Sequence, residues 1–287
     1  VLLIQFPLFF ICSPSAIIMM EFDTASTTKE LTPTDAPVHP RVTEINSCVS
    51  PWLIPLAYVL GRYLVFPLFF GQIEILGQEN VPKSGAVILA PTHRSRWDSL
   101  LLPYATGRGV TGRDLHFMVT ISECQGLQGW FVRRMGGFPV DQKRPAIATL
   151  RYAVELLQQQ QMLVIYPEGG IFRDREIHPL KPGIARLALS AEYSHTGLGV
   201  QIIPVSINYS QPYPTWGTKV KIHIGKPIIV ADYLYGNFKS DAKRLTTDLT
   251  HQLQHLNQQE LVTTPAPQQS STVSRQSSAS PVLSSVD

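Results

Sequence analysis

The sequence predicts an α/β fold, a mostly parallel central sheet covered by helices, preceded by an N-terminal hydrophobic membrane-associating helix. Two apolar runs without alternation, AVILA at Ala86 to Ala90 and MLVIY at Met162 to Tyr166, read as strands buried on both faces. Between them lie stretches with helical periodicity, and strands alternating with helices imply a sheet covered on both sides. The 287 residues allow one sizeable core or at most two small ones.

Along the chain, residues 1–50 are expected to be flexible. Residues 1–20 resemble a signal peptide but lack a basic start, and Pro7 and Pro14 break the apolar run. Residues 1–19 read as a gene-model extension, with translation starting at Met19 or Met20. Residues 51–71 (PWLIPLAYVLGRYLVFPLFFG) are long enough to cross a bilayer, yet they carry Arg62 at the centre and Pro55 and Pro67 as interruptions. A buried Arg costs a few kcal/mol on the insertion scale. The segment is therefore expected to lie in the membrane interface with Arg62 reaching for headgroups, the alternative being a hydrophobic helix packed on the core.

Residues 72–260 form the folded domain. After the AVILA strand come a helix over Ser95 to Tyr104 and short strands over His116 to Thr120 and Gly137 to Val140. Pro145 to Gln161 is expected to be a helix, with Ile147, Leu150, Val154 and Leu157 on one face. Beyond MLVIY, a helix over Gly183 to Tyr193 precedes strands over Gln201 to Ile207 and Val220 to Ile224. Residues 261–287 are Ser, Pro, Gln and Thr with little to build a core, and read as a disordered tail.

Composition narrows the function. Charged residues make up 16% of the chain, against roughly 25% in ordinary soluble domains. The net charge of +3 is too mild to argue for nucleic acid, and it suits either a surface near anionic lipid or a cytosolic enzyme. The three cysteines, Cys12, Cys48 and Cys124, form no CxxC pair, so neither a disulfide framework nor a metal site is expected.

PTHRSRWDSLLL follows the AVILA strand directly, so His93 leaves a strand end and Asp98 opens a helix. In parallel sheets that rim is where ligands bind. A carboxylate accepting a hydrogen bond from one imidazole nitrogen fixes the tautomer and leaves the other nitrogen to take a proton. The plain alternative is that His93 only enters the helix and Asp98 favours its N-terminus. Three further segments share the pattern of strand end plus glycine or proline: MLVIYPEGGIFR with Glu168, Gly169, Gly170 and Arg173; MGGFPVDQKRP with Lys143 and Arg144; and QIIPVSI with Pro204. Gly107 to Gly112 fits GxGxxG but follows a helix and reads as a turn. There is no GxxxxGK[ST], HExxH or GxSxG, and the lack of an obvious Ser or Cys nucleophile favours direct transfer.

These four segments, in this order, resemble the glycerolipid acyltransferase family, whose bacterial members are 1-acylglycerol-3-phosphate acyltransferases; the resemblance covers roughly residues 72–230. His93 and Asp98 match the family's HxxxxD, and Ser95 its frequent serine. Gly137, Phe138 and Val140 match the second block, Tyr166 to Gly169 the third (usually FPEG), and Ile203 to Val205 the fourth. The resemblance implies transfer of a fatty acyl group from acyl carrier protein or coenzyme A to a lysophospholipid hydroxyl, with no cofactor or metal, at the cytoplasmic face of a membrane. His93 and Asp98 would be the catalytic pair, and Arg144, Lys143, Glu168, Gly169, Gly170 and Arg173 would bind substrate. Glu168 would orient the acceptor or fix the loop. The chain departs from the pattern where Gly170 and Ile171 replace the usual Thr-Arg, and where Asp141 and Gln142 precede Lys143 and Arg144. Those displaced cations leave the acceptor less well specified than the reaction.

Overall fold

The computed structural model describes residues 45–141 and 144–263. The expectations for residues 1–44, Lys143 and residues 264–287 lie outside the described residues.

Residues 45–50 are tied to the domain, in contrast to the flexibility expected of 1–50. Cys48 and Ser50 donate backbone hydrogen bonds to the carbonyls of Arg133 and Arg134 (3.1 and 3.0 Å). A helical stretch follows, made of α1 (Leu53–Leu60), a π-helical piece (Gly61–Val65) and α2 (Phe66–Phe69). Pro67 falls in the first turn of α2, where a missing N–H is tolerated. Ile54 and Phe66 are buried, while Leu56, Val59, Tyr63, Leu64 and Leu68 are exposed. Arg62 lies over the ring of Tyr104 at 5.7 Å. No helix among the described residues is long and apolar enough to cross a membrane. Phe70 and Gly71, expected at the end of the hydrophobic segment, instead begin β1 (Phe70–Leu76).

The remaining elements are β2 (Val87–Pro91), α3 (Asp98–Thr106), α4 (Arg108–Thr111), β3 (Leu115–Thr120), α5 (Gly126–Arg134), β4 (Gly137–Val140), α6 (Ile147–Gln158), β5 (Met162–Val164), α7 (Gly183–Ser194), β6 (Gln201–Tyr209), β7 (Thr218–Ile224), β8 (Ile228–Ile229) and α8 (Phe238–Thr263). The strand order is β1-β7-β6-β2-β5-β3-β4, with β8 beside β6. Pairing is parallel except for β6 with β7 and with β8. The expected mostly parallel sheet is therefore present. A loop over residues 210–217 joins β6 to β7 without a crossover helix, which makes that pair antiparallel.

The AVILA strand is buried on both faces. Ile88 and Ala90 pack with α6, α7 and α8, while Val87 and Leu89 pack with Phe66, Trp97 and Leu101 on the other side. Pro204 occupies a central strand, where a missing N–H would normally break a ladder. It sits between the β8 pairing at Gln201 and Ile202 and the β7 pairing that starts at Val205, so the lost donor falls in a gap.

Most element boundaries shift by a few residues from the sequence reading. The first helix after AVILA starts at Asp98 rather than Ser95, because the amides of Arg94 and Ser95 turn inward to the Asp98 side chain. The final helix runs to Thr263, across the expected boundary at 260/261.

Candidate active site

Thr92 fixes the direction in which the chain leaves β2. Its hydroxyl donates to the Ile207 carbonyl at 3.3 Å and accepts the Ile207 N–H at 2.8 Å, stitching the strand exit to β6. His93 then turns out of the sheet, and its amide donates to Glu168 Oε2 at 3.1 Å. Its ring stacks on Tyr166 with centroids 3.9 Å apart, and its side chain retains 18% exposure.

Asp98 is fully buried. A carboxylate taken out of water needs donors on its lone pairs. Oδ2 lies 2.8 Å from His93 Nδ1 and accepts the backbone N–H groups of Arg94 (2.7 Å) and Ser95 (2.9 Å). Oδ1 accepts the Tyr209 hydroxyl at 2.6 Å. With Nδ1 donating to the carboxylate, the Nε2 lone pair is left available. Nε2 makes no hydrogen bond to any described residue. The arrangement can accept a proton from a hydroxyl placed against Nε2.

A second clamp joins this turn to the loop after β5. Arg94 and Glu168 form a buried ion pair, with Nη1 3.1 and 2.8 Å from the two carboxylate oxygens. Arg94 Nη2 donates to the Glu176 carbonyl at 2.8 Å, and Glu168 Oε1 accepts the His178 N–H at 3.0 Å. Phe172 N–H donates to the His93 carbonyl at 2.9 Å. Glu168 thus ties the 166–178 loop to the histidine turn. A buried pair of this kind is strongly destabilising to break from one side, by about 3–5 kcal/mol.

Burial, reinforced by the Asp98 charge, pushes the phenols of Tyr166 and Tyr209 well above the ordinary tyrosine value. Both stay protonated. The Tyr166 hydroxyl has no hydrogen-bond partner among the described residues, and neither does Arg94 Nε.

The other expected site residues are distributed unevenly. Gly169 adopts φ +73°, which favours glycine, and an added Cβ would lie 2.4 Å from the end of Lys181. The close approach there is made by a lysine side chain, and Gly170 packs on Phe172. Arg173 is exposed and lies over the ring of Tyr213 at 4.6 Å. Arg144 is exposed just beyond β4, where its amide donates to Asp141 Oδ1 at 3.2 Å. β4 is the third strand over from β2, about 14 Å away at ordinary strand spacing. The structure brings His93, Asp98, Glu168, Gly169, Gly170 and Arg173 to one rim and leaves Arg144 at the sheet edge. The glycines of MGG serve packing: a Cβ on Gly136 would meet the Leu115 carbonyl at 2.3 Å, and one on Gly137 the Val132 side chain at 2.4 Å.

Sequence reasoning missed Arg94, Thr92 and Tyr209. Arg94 sits inside the HxxxxD segment and was legible as a cation there. Tyr209 is separated from Asp98 by 111 positions, and no local pattern joins them.

A family model described as Acyltransferase matches residues 72–208. The chain is similar to a 1-acyl-sn-glycerol-3-phosphate acyltransferase of Bacillus subtilis (strain 168), 24% identical over 65% of this chain and 88% of that protein. It is 27% identical to a Streptococcus pneumoniae protein of the same name, over 50% of this chain and 51% of that one. It is also 30% identical to the mouse mitochondrial glycerol-3-phosphate acyltransferase 1, over 58% of this chain and 22% of that one. Among solved structures, a 1-acyl-sn-glycerophosphate (LPA) acyltransferase from Thermotoga maritima shares the fold, with a TM-score of 0.50 at 20% identity over 71% of this chain and 80% of that one.

Proposed function

Taking as premise that the chain belongs to the glycerolipid acyltransferase family, we propose that it acylates the free hydroxyl of 1-acylglycerol-3-phosphate to give phosphatidic acid. The donor is a fatty acyl thioester of acyl carrier protein or coenzyme A. The observation that carries the reading is the 2.8 Å His93–Asp98 hydrogen bond at the C-terminal rim of the sheet, which leaves Nε2 open to an acceptor.

His93 Nε2 takes the proton of the acceptor hydroxyl as its oxygen attacks the thioester carbonyl. The tetrahedral intermediate collapses, the C–S bond breaks, and the proton passes to the leaving thiolate. Asp98 holds the ring and stabilises the imidazolium, worth about two to four orders of magnitude in rate. The amides of residues 93–95 are committed to Glu168 and Asp98, so charge stabilisation falls to the 169–173 loop with Arg173 and to Lys181. The acceptor phosphate is placed against these cations. The exposed apolar side of Leu53–Phe69 rests on the bilayer, bringing the lipid to the site; Phe69 stacks on Trp97 at 4.5 Å beside the histidine turn. The free thiols of Cys48 and Cys124 fit the reducing, cytoplasmic face.

A second acceptor, glycerol-3-phosphate, is favoured by the mouse match. The test is acyl transfer from one thioester donor to lysophosphatidate, glycerol-3-phosphate and other lysolipids in parallel. Preference for lysophosphatidate supports the first reading and preference for glycerol-3-phosphate the second. No transfer to any acceptor would mark a lipid-binding protein and overturn both. Double-reciprocal plots should intersect; parallel lines would mean a covalent acyl-enzyme.

A further inference from the structure

We propose that Tyr209 is a positioning residue of the acyl-transfer site, setting the charge and orientation of Asp98 and, through it, the basicity of His93. The inference rests on the reading of His93 and Asp98 as base and orienter.

The geometry is specific. The hydroxyl lies 2.6 Å from Asp98 Oδ1, the oxygen not facing His93. Tyr209 is the last residue of β6 and is itself buried, with its ring packed in the aromatic cluster of Phe66, Phe70 and Trp97. The donor is thus held on a strand rather than a loop, which favours a fixed angle. The phenol is kept protonated by its burial and by the carboxylate, so it donates throughout the working range.

The groups around this carboxylate set the electrostatics. Oδ2 receives the His93 imidazole and the amides of Arg94 and Ser95; the Ser95 hydroxyl lies against the Tyr209 phenol; Tyr166 lies near the carboxylate; and the Arg94–Glu168 pair is charge-balanced behind the turn. Among the described residues, Tyr209 supplies the hydrogen bond recorded to Oδ1. Without it, negative charge concentrates on the carboxylate, which holds the imidazolium proton more strongly and loses one of its anchors.

The experiment compares Tyr209→Phe with the unaltered protein, using palmitoyl-coenzyme A and oleoyl-lysophosphatidate and following kcat, KM and the pH profile. Phe keeps the ring and its packing. The expected result is a fall in kcat of about tenfold with KM little changed, as for loss of one hydrogen bond of about 1.4 kcal/mol to a charged group. The acid limb of the profile should move to higher pH. Because Phe at this site could also disturb folding, 2,3-difluorotyrosine at position 209 provides the opposite perturbation: its stronger donor should move the acid limb to lower pH in a protein of unchanged shape. An acid limb that stays in place in both variants would overturn the proposal and leave His93 untouched. Full activity in His93→Ala would overturn the reading on which it rests, whatever Tyr209 does.

Discussion

Two histidines at opposite rims of the same sheet sit in contrasting environments, one facing a carboxylate and the other facing hydroxyls. His93 leaves the C-terminal end of β2, keeps part of its ring exposed, and is gripped at Nδ1 by a fully buried carboxylate. His116 lies near the N-terminal end of β3, beside a cleft of about 540 Å³ that Ser47 and Tyr152 also line. Its Nδ1 is 3.0 Å from the Ser47 hydroxyl, which is 2.8 Å from the Tyr152 hydroxyl. Hydroxyls can satisfy a buried imidazole, but they do not stabilise an imidazolium as an anion does. Burial therefore pushes His116 below the ordinary imidazole value, with Asp114 opposing only in part. One histidine is held by a carboxylate with Nε2 left open, which suits the proposed proton transfer, and the other links residues 45–50 to the domain.

The largest expected effect breaks the His93 side of the comparison. Asp98→Asn should lower kcat by about a thousandfold while the protein remains folded, since an amide can present the wrong group to Nδ1. Steady-state transfer assays with a circular-dichroism melt check it. Next comes the clamp behind the turn: Arg94→Met leaves Glu168 buried without its cation, and should cost about 3–5 kcal/mol in urea unfolding.

The third effect belongs to His116. The unfolded chain takes up a proton at about pH 6.5, before the folded protein does. The stability due to this histidine is therefore full above that value and drains away as pH falls through it. His223, lowered by burial and by Lys221 and His255, drains in the same window. His116→Asn, which can still bond Ser47, should flatten the loss of melting temperature below pH 6.5, at a cost of about 1 kcal/mol near neutrality and with kcat unchanged. An unaltered acid slope would show that His116 is not a source of it.

The smallest effect sharpens the contrast from within the candidate site. Tyr166 carries a hydroxyl with no partner among the described residues, at a position where the family pattern has Phe. Tyr166→Phe should keep the ring that stacks on His93 and raise stability by about 1 kcal/mol, read from the melting temperature.

What the sequence disclosed divides along physical lines. AVILA and MLVIY were legible because strands buried on both faces leave a continuous apolar run. The His93–Asp98 pair was legible because its residues are close in sequence and join a strand to a helix. β1 was hidden because the apolar run ending at Gly71 overlaps its start, and because an edge strand admits Gln72 and Glu74. α8 went unread although Ala242, Leu245, Leu249, Leu253 and Leu256 mark a narrow helical stripe in a polar background. Tyr209 was invisible because its partner arrives only when β6 pairs with β2. Arg144 drew attention as a cation near a glycine block, yet the strand that carries it lies at the far edge of the sheet.

The most direct measurement is acyl transfer by His93→Ala, made on protein whose melting curve matches that of the unaltered chain. Under the proposed mechanism, in which Nε2 receives the acceptor proton, its kcat should fall by at least about a hundredfold. Turnover within about twofold of the unaltered protein would contradict the account, because no contribution of the size expected of a positioned base would then reside in that imidazole.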